Sequence, residues 1–418
     1  MGLPFKIVMN LRFVMVVNHN LLFKMGFENF QDPSFKQYNE VPKREKLDML
    51  LKMIAMCKKK EKNQGMNITL TITVILAFIF LFACDRLKND NILNKNTIFF
   101  TEFSGEENIV FRDLFEYKKG NISAIYPSDS VLIFMNSRNG TDYFFYNYSL
   151  KKNILSEGFL KKGRGPNEAL GVSSAGIFNN SFWIYDITLK KILTINKSKI
   201  LADSLSPVFN EYFPKEEFRG IDFIDSLSYL TVGDNISTFK IVQKDLTTNT
   251  KITEFGQFEN ISSKKNITAF KDAYTCYIYT KPSGVKFVLP YRYTDVIEIY
   301  DVKKNTNIAI QGPLCFNVDY KEAKTNGYFY MLKTKKTRKA FVSGTVTDKF
   351  IYLVYSGNLY KDDNWSYGKY IFVYDWEGHP VKKIILDRYV YTIAVSADDK
   401  TIYSYDKKNG YVIYSSLN

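Results

Sequence analysis

Few residues in this 418-residue chain are equipped for catalysis. Beyond Cys84 there is one histidine, His379, in a Glu377-Gly378-His379-Pro380 turn, the setting of an exposed hairpin tip. A Ser-His-Asp nucleophile therefore has a single candidate base, poorly placed. No His-rich metal motif, phosphate-binding loop or nucleophile elbow occurs, and the four cysteines lack zinc-site spacing. What remains are carboxylates, amides and rings. Asp362, Asp363, Asn364, Trp365 and Tyr367 lie within one short stretch, and Lys333, Lys335, Lys336, Arg338 and Lys339 precede it. Arg164 and Glu168 sit in a run of turn-forming residues, Gly163-Arg164-Gly165-Pro166-Asn167-Glu168. Such groups suit recognition of a sugar or peptide better than covalent catalysis.

Cys84 is a different case. Residues 68–83 are almost wholly apolar, follow Lys58, Lys59, Lys60 and Lys62, and end Leu81-Phe82-Ala83-Cys84. A basic start, an apolar stretch and a small residue before the cleavage point describe a secretory signal, and the stretch is short for a membrane span. Leu-x-Ala-Cys resembles the bacterial lipobox. That resemblance implies cleavage before Cys84, a diacylglyceryl thioether on its sulfur and a durable lipid anchor; an uncleaved signal anchor is the rival. Residues 53–83 are then the signal peptide and 84–95 a polar tether. Residues 1–52 read as an over-called start or a leader, because Met53, Met56 and Met66 can each open the signal. The expected address is the cell envelope, at the outer membrane, facing either the periplasm or the surface. Of the other cysteines, Cys57 lies in the basic start of the signal; Cys276 and Cys315 are expected as two free thiols, with a disulfide as the alternative.

Composition narrows the partners. The formal charge is +14, but the first 83 residues hold 12 Lys+Arg against 6 Asp+Glu, and the remaining excess is scattered. Nucleic-acid binding requires a clustered basic face, so none is expected. Aromatic residues at 16% suit strands and argue against a disordered chain.

The elements that must position these groups are strands. After the Gly-Arg-Gly-Pro-Asn-Glu turn, where Pro forbids helix just before it, residues 172–178, 181–186 and 192–196 read as three antiparallel strands. The unit recurs with drift: third strands are predicted at 143–149, 192–196, 238–243, 296–301, 370–375 and 411–416. Six four-stranded units at that period predict an all-β, six-bladed β-propeller over residues 96–418. First strands carry small residues (Ser123, Ala124, Ser173 to Gly176, Ser343, Gly344), as strands crowded at a central axis require. The last unit lacks an outer strand, so an N-terminal strand should complete it; residues 96–103 are the candidate. No amphipathic helix is expected.

Gly163 to Glu168, Phe255-Gly256-Gln257-Phe258, the Tyr-Asp strand ends and the closing stretch Ile371 to Gly378 resemble the six-bladed TolB-like and NHL-like propeller lipoproteins of didermal bacteria. The resemblance implies a fold and an envelope address, without a settled reaction. In such propellers the outer-to-inner crossovers and the second-to-third-strand loops share one face. Residues 313–339 and 356–369 are enlarged segments of those two classes, so the candidate site comprises Asp362, Asp363, Asn364, Trp365 and Tyr367. Arg164 and Glu168 are further candidates, with pairing to neighbours as the simpler role. The expected function is a lipid-anchored binding or scaffold module for a glycan, peptide or envelope protein. The alternative is a hydrolase or lactonase using carboxylates and calcium at the central channel.

Overall fold

The computed structural model describes residues 96–137, 142–201, 207–233, 237–258 and 266–418. The leader, signal and tether predicted for residues 1–95, Cys84 included, lie outside them.

The chain forms a six-bladed β-propeller. Its inner strands are Ile122–Ser128, Val172–Phe178, Gly220–Phe223, Tyr279–Thr280, Phe341–Val346 and Ile393–Val395. From the second round to the first each adjoins the next, and Tyr126 of the first packs in one cluster with Ala175 and Ile177 of the second. From each, an antiparallel meander runs outward, as in blade 3 through Ser228–Val232, Phe239–Asp245 and Lys251–Gln257. Third strands are buried along nearly their whole length: Lys191–Asn196, Phe239–Asp245 and Val296–Asp301 each have five consecutive buried residues. Both faces of a blade are covered by neighbours, so burial along these strands is continuous rather than alternating, and it includes charged residues such as Lys191, Lys240, Lys244 and Glu298. The Tyr-Asp ends have a local cause. Asp245, Asp301 and Asp375 close hairpins by accepting backbone amides of the following turn, and Asp186 additionally takes the amides of Leu170 and Gly171 from the preceding crossover.

Stability resides between blades. Among the described residues there are six buried apolar clusters, and each joins one pair of adjacent blades. Rings dominate them: Trp183 of blade 2 stacks on Phe223 of blade 3 at 5.3 Å. The small residues of the inner strands make room for these rings as well as for the axis. A Cβ on Gly176 would lie 2.6 Å from the Trp183 ring. Gly256, at φ +59°, stands where a Cβ would lie 2.1 Å from the Tyr300 hydroxyl of blade 4, so only glycine fits there. One ion pair is also buried between blades. Lys240 meets Glu298 at 2.7 Å, and the second oxygen of Glu298 accepts hydrogen bonds from Tyr291 and Tyr300.

The N-terminal segment closes the ring, by a route the sequence reading missed. Residues 96–103 do not join the last blade. Thr97–Phe99 adds a parallel fifth strand to blade 4, beside Thr306–Gln311, and Gly105–Ile109 adds a parallel fifth strand to blade 5, beside Pro380–Val390. The strand that completes blade 6 is Arg112–Glu116, antiparallel to Tyr411–Ser416. The β-prone run at 96–103 was legible; which of three outer edges it meets depends on tertiary distances.

Two short helices also depart from expectation. Helix α1 (Lys197–Leu201) follows the third strand of blade 2, and α2 (Ile267–Ala273) lies in the crossover from blade 3 to blade 4. Helix α2 buries Ala269, Phe270 and Ala273 and ends at its C-cap Tyr274, and the inner strand of blade 4 that follows is only Tyr279–Thr280. Among the described residues no helix is long and apolar enough to cross a membrane. Cys276 and Cys315 are both free thiols, and burial pushes Cys276 up to about 12.

Two substitutions test the packing. Phe115 stacks on Tyr148 of blade 1 at 4.0 Å. Phe115→Ala should lower unfolding free energy by about 3 kcal/mol, the low end for a phenylalanine core deletion, measured by urea titration. Lys240→Met strands the buried Glu298 and should cost about 3–5 kcal/mol; an unchanged melting curve would refute the role assigned to that pair.

Candidate functional site

The two enlarged segments meet. Within residues 313–339, Tyr320–Thr325 and Tyr328–Lys333 pair as a hairpin through an Asn326-Gly327 turn. The hairpin rests on α2, where the Met331 amide donates to Asp272 at 2.9 Å. The chain then runs back beside the second-to-third loop of blade 5. Lys339 N donates to Asn358 O at 2.9 Å, Gly357 N to Lys339 O at 2.9 Å, and Tyr360 N to Thr337 O at 2.8 Å. On its other side, Ala340 N donates to Arg292 O at 2.9 Å. Lys339 is thereby fixed between the second-to-third loops of blades 4 and 5.

Rings and cations from all three segments converge there. Trp365 stacks on Tyr293 of blade 4 at 6.1 Å and meets Tyr360 edge-on at 5.4 Å. Lys339 Nζ lies 5.2 Å from the Tyr293 ring centroid and 5.9 Å from that of Trp365. Lys333 Nζ lies 5.8 Å from Tyr293 and 5.6 Å from Tyr360. The Arg292 guanidinium covers Tyr277 at 5.3 Å and Tyr293 at 5.9 Å. Cation–π attraction of this kind holds a charge without neutralising it.

Lys339 is 3% exposed. Burial, reinforced by the charges of Arg292 and Lys333, pulls its ammonium down to about 6. Deeper along the inner strands a single carboxylate stands out. Asp222 of blade 3 accepts from the amides of Thr280 and Phe223 at 2.8 and 2.9 Å, yet burial pushes it up to about 7.

The predicted site residues divide. Asn364, Trp365 and Tyr367 are half-buried, whereas Asp362 and Asp363 are exposed. Asp362 uses one oxygen to accept the Leu359 amide at 2.8 Å, which folds its own loop. With Asn358, Lys361 and Tyr389, Asp362, Asp363 and Asn364 line an open concavity of about 510 Å³. Tyr367 turns toward Tyr391 in the crossover to blade 6, at 6.4 Å. Arg164 and Glu168 lie in the crossover between blades 1 and 2. Glu168 caps its own turn by accepting the Gly165 amide at 2.7 Å. Arg164 is exposed and makes no ion pair among the described residues. Arg292, Tyr293 and Tyr277 were missed. A Tyr291-Arg292-Tyr293 triplet just ahead of the strand predicted at 296–301, in what the structure shows to be the turn after Lys286–Pro290, was the available signal. Among the described residues, no three His, Cys, Asp or Glu side chains converge as metal ligands would.

Lys339 generates a prediction with a definite sign. In the unfolded chain its ammonium titrates near the ordinary lysine value of about 10.4, and in the folded protein far lower. The unfolded state thus binds the extra proton, and the destabilising cost is full below about pH 6, falls as pH rises, and vanishes above the unfolded value. Lys339→Met should therefore raise the melting temperature more at about pH 6 than at about pH 9.5. A gap of the opposite sign would show Lys339 to be stabilising instead.

Comparison with known proteins agrees with this architecture. The family model described as TolB-like 6-blade propeller-like matches residues 99–398. A DUF4221-family protein of Bacteroides vulgatus superposes with a TM-score of 0.51 at 10% identity, covering 76% of this chain and 98% of that one. A protein of Bacteroides fragilis, described as a candidate exported protein, gives a TM-score of 0.47 at 14% identity, covering 77% and 99%. No curated protein sequence matches the chain. By its six sheets and by a family match spanning most of its length, the chain belongs to the TolB-like six-bladed propeller family.

Proposed function

We propose that this protein is a lipid-anchored propeller of the cell envelope that binds a glycan, peptide or protein partner on the face built by residues 313–339 and 356–369. One observation carries the reading. Two enlarged segments, separate in sequence, lock together by backbone hydrogen bonds and bring Trp365, Tyr293, Tyr360, Lys333 and Lys339 into one cluster on a rigid frame. Binding groups concentrate on loops held by such scaffolds. The envelope address rests on the lipobox-like Leu81-Phe82-Ala83-Cys84, and the candidate exported protein of Bacteroides fragilis is a fold relative with a compatible description.

Two measurements test it. Cys84→Ser should abolish fatty-acid labelling and shift the protein from the membrane to the soluble fraction; labelling that persists would remove the anchor from the proposal. Wild-type protein cross-linked on intact cells should recover envelope material that Trp365→Ala does not. Equal recovery by a normally folded Trp365→Ala protein would move the site away from this face.

A further inference from the structure

Four lysines are buried in the described part of the chain: Lys191, Lys240, Lys244 and Lys339. The first three each reach a glutamate, at 3.2 Å for Glu211, 2.7 Å for Glu298 and 2.8 Å for Glu216. Lys339 reaches none. Among the described residues its ammonium has no carboxylate and no hydrogen-bond acceptor, only the rings of Tyr293 and Trp365. The next cation, Arg292, keeps a buried Nε without a hydrogen-bond partner. A desolvated ammonium beside a second unpaired cation is expensive, and buried charges are ordinarily paired. The three satisfied lysines indicate what is missing at the fourth, an oxyanion.

The surroundings restrict which oxyanion. The loop that supplies Trp365 also lines the concavity with Asn358, Lys361, Asp362, Asp363 and Asn364, joined by Tyr389. Two exposed carboxylates there oppose a polyanion such as a phosphate ester or a sulfated chain. Side-chain amides and carboxylates do suit hydroxyl groups, and the exposed Tyr389 offers a planar face for a pyranose ring. Resting on the loop-face reading above, we infer that Lys339, Arg292 and Lys333 form a socket for the single carboxylate of an acidic sugar, whose hydroxyls are read by the adjoining concavity. At neutral pH the Lys339 amine, pulled down to about 6, takes up a proton from solvent as the carboxylate arrives, and no other bond is made or broken.

Calorimetry on the full-length protein in a polyoxyethylene detergent, with a galacturonate trimer, neutral maltotriose and a triglutamate peptide as probes, tests this. The uronate trimer should bind about tenfold or more tighter than maltotriose, the worth of one charge-assisted contact. Lys339→Met should erase that preference while melting no lower than wild type, and Lys339→Arg should retain part of it. Equal affinity for acidic and neutral trimers would overturn the socket, as would uronate binding indifferent to Lys339→Met or a preference for triglutamate. Maltotriose binding that Trp365→Ala abolishes would overturn the socket yet leave the loop-face reading standing. Silence from all probes, with envelope capture insensitive to Trp365→Ala, would remove both.

Discussion

Everything in this molecule depends on how the ring is shut. Six twisted sheets packed face to face bury their cores only if the first meets the last, and no covalent bond enforces that meeting. Here the N-terminal segment does so as a belt, touching the outer edges of blades 4, 5 and 6 in succession. Arg112–Glu116 is the indispensable part, since it supplies the fourth strand of blade 6 and delivers Phe115 and Tyr117 into the interface with blade 1. The two preceding contacts cover hydrogen-bonding edges on blades 4 and 5 that would otherwise stay open to other strands.

The belt also bears on the binding face. The enlarged segments both attach to blades 4 and 5, whose sheets the belt widens to five strands. A frame reinforced at its perimeter can hold an extended crossover without transmitting its motion inward. Between blades 3 and 4, the Lys240–Glu298 pair and its two tyrosine donors fix the spacing from inside. The crossover therefore leaves a fixed point and returns to one, and Lys339 is held by main-chain hydrogen bonds on both sides.

Opposite treatments of charge separate scaffold from surface. In the scaffold, among the described residues, each buried lysine is matched by a glutamate: Lys191 by one within blade 2, Lys244 by one in the crossover that leads into blade 3, and Lys240 by one across in blade 4. On the face, Lys339 and Arg292 are sheathed by rings and make no ion pair among the described residues. Carboxylates nearby are engaged elsewhere: Asp272 with Arg219 at 2.8 Å and with the Met331 amide, Asp295 with the amides of Leu314, Cys315 and Phe316.

Strand periodicity, small residues on the inner strands and Tyr-Asp turns were enough to establish the blades, because each is a local requirement of a short antiparallel meander. The sequence also located both enlarged segments and the residues 362–367, since insertions interrupt a regular period. It could not assign the closing strand: residues 97–99 are β-prone, whereas Arg112–Glu116 is charged at three of its five positions, and only the distance around the ring brings it to blade 6. Nor could it find Arg292 and Tyr293, which lie in a turn of ordinary length and matter because Trp365, some seventy positions later, packs on them. Whether Lys339 has a counter-ion is likewise decided by what long-range packing brings to its ammonium. Local periodicity is written in neighbours along the chain, whereas pairing and charge compensation belong to residues that meet only after the ring has closed.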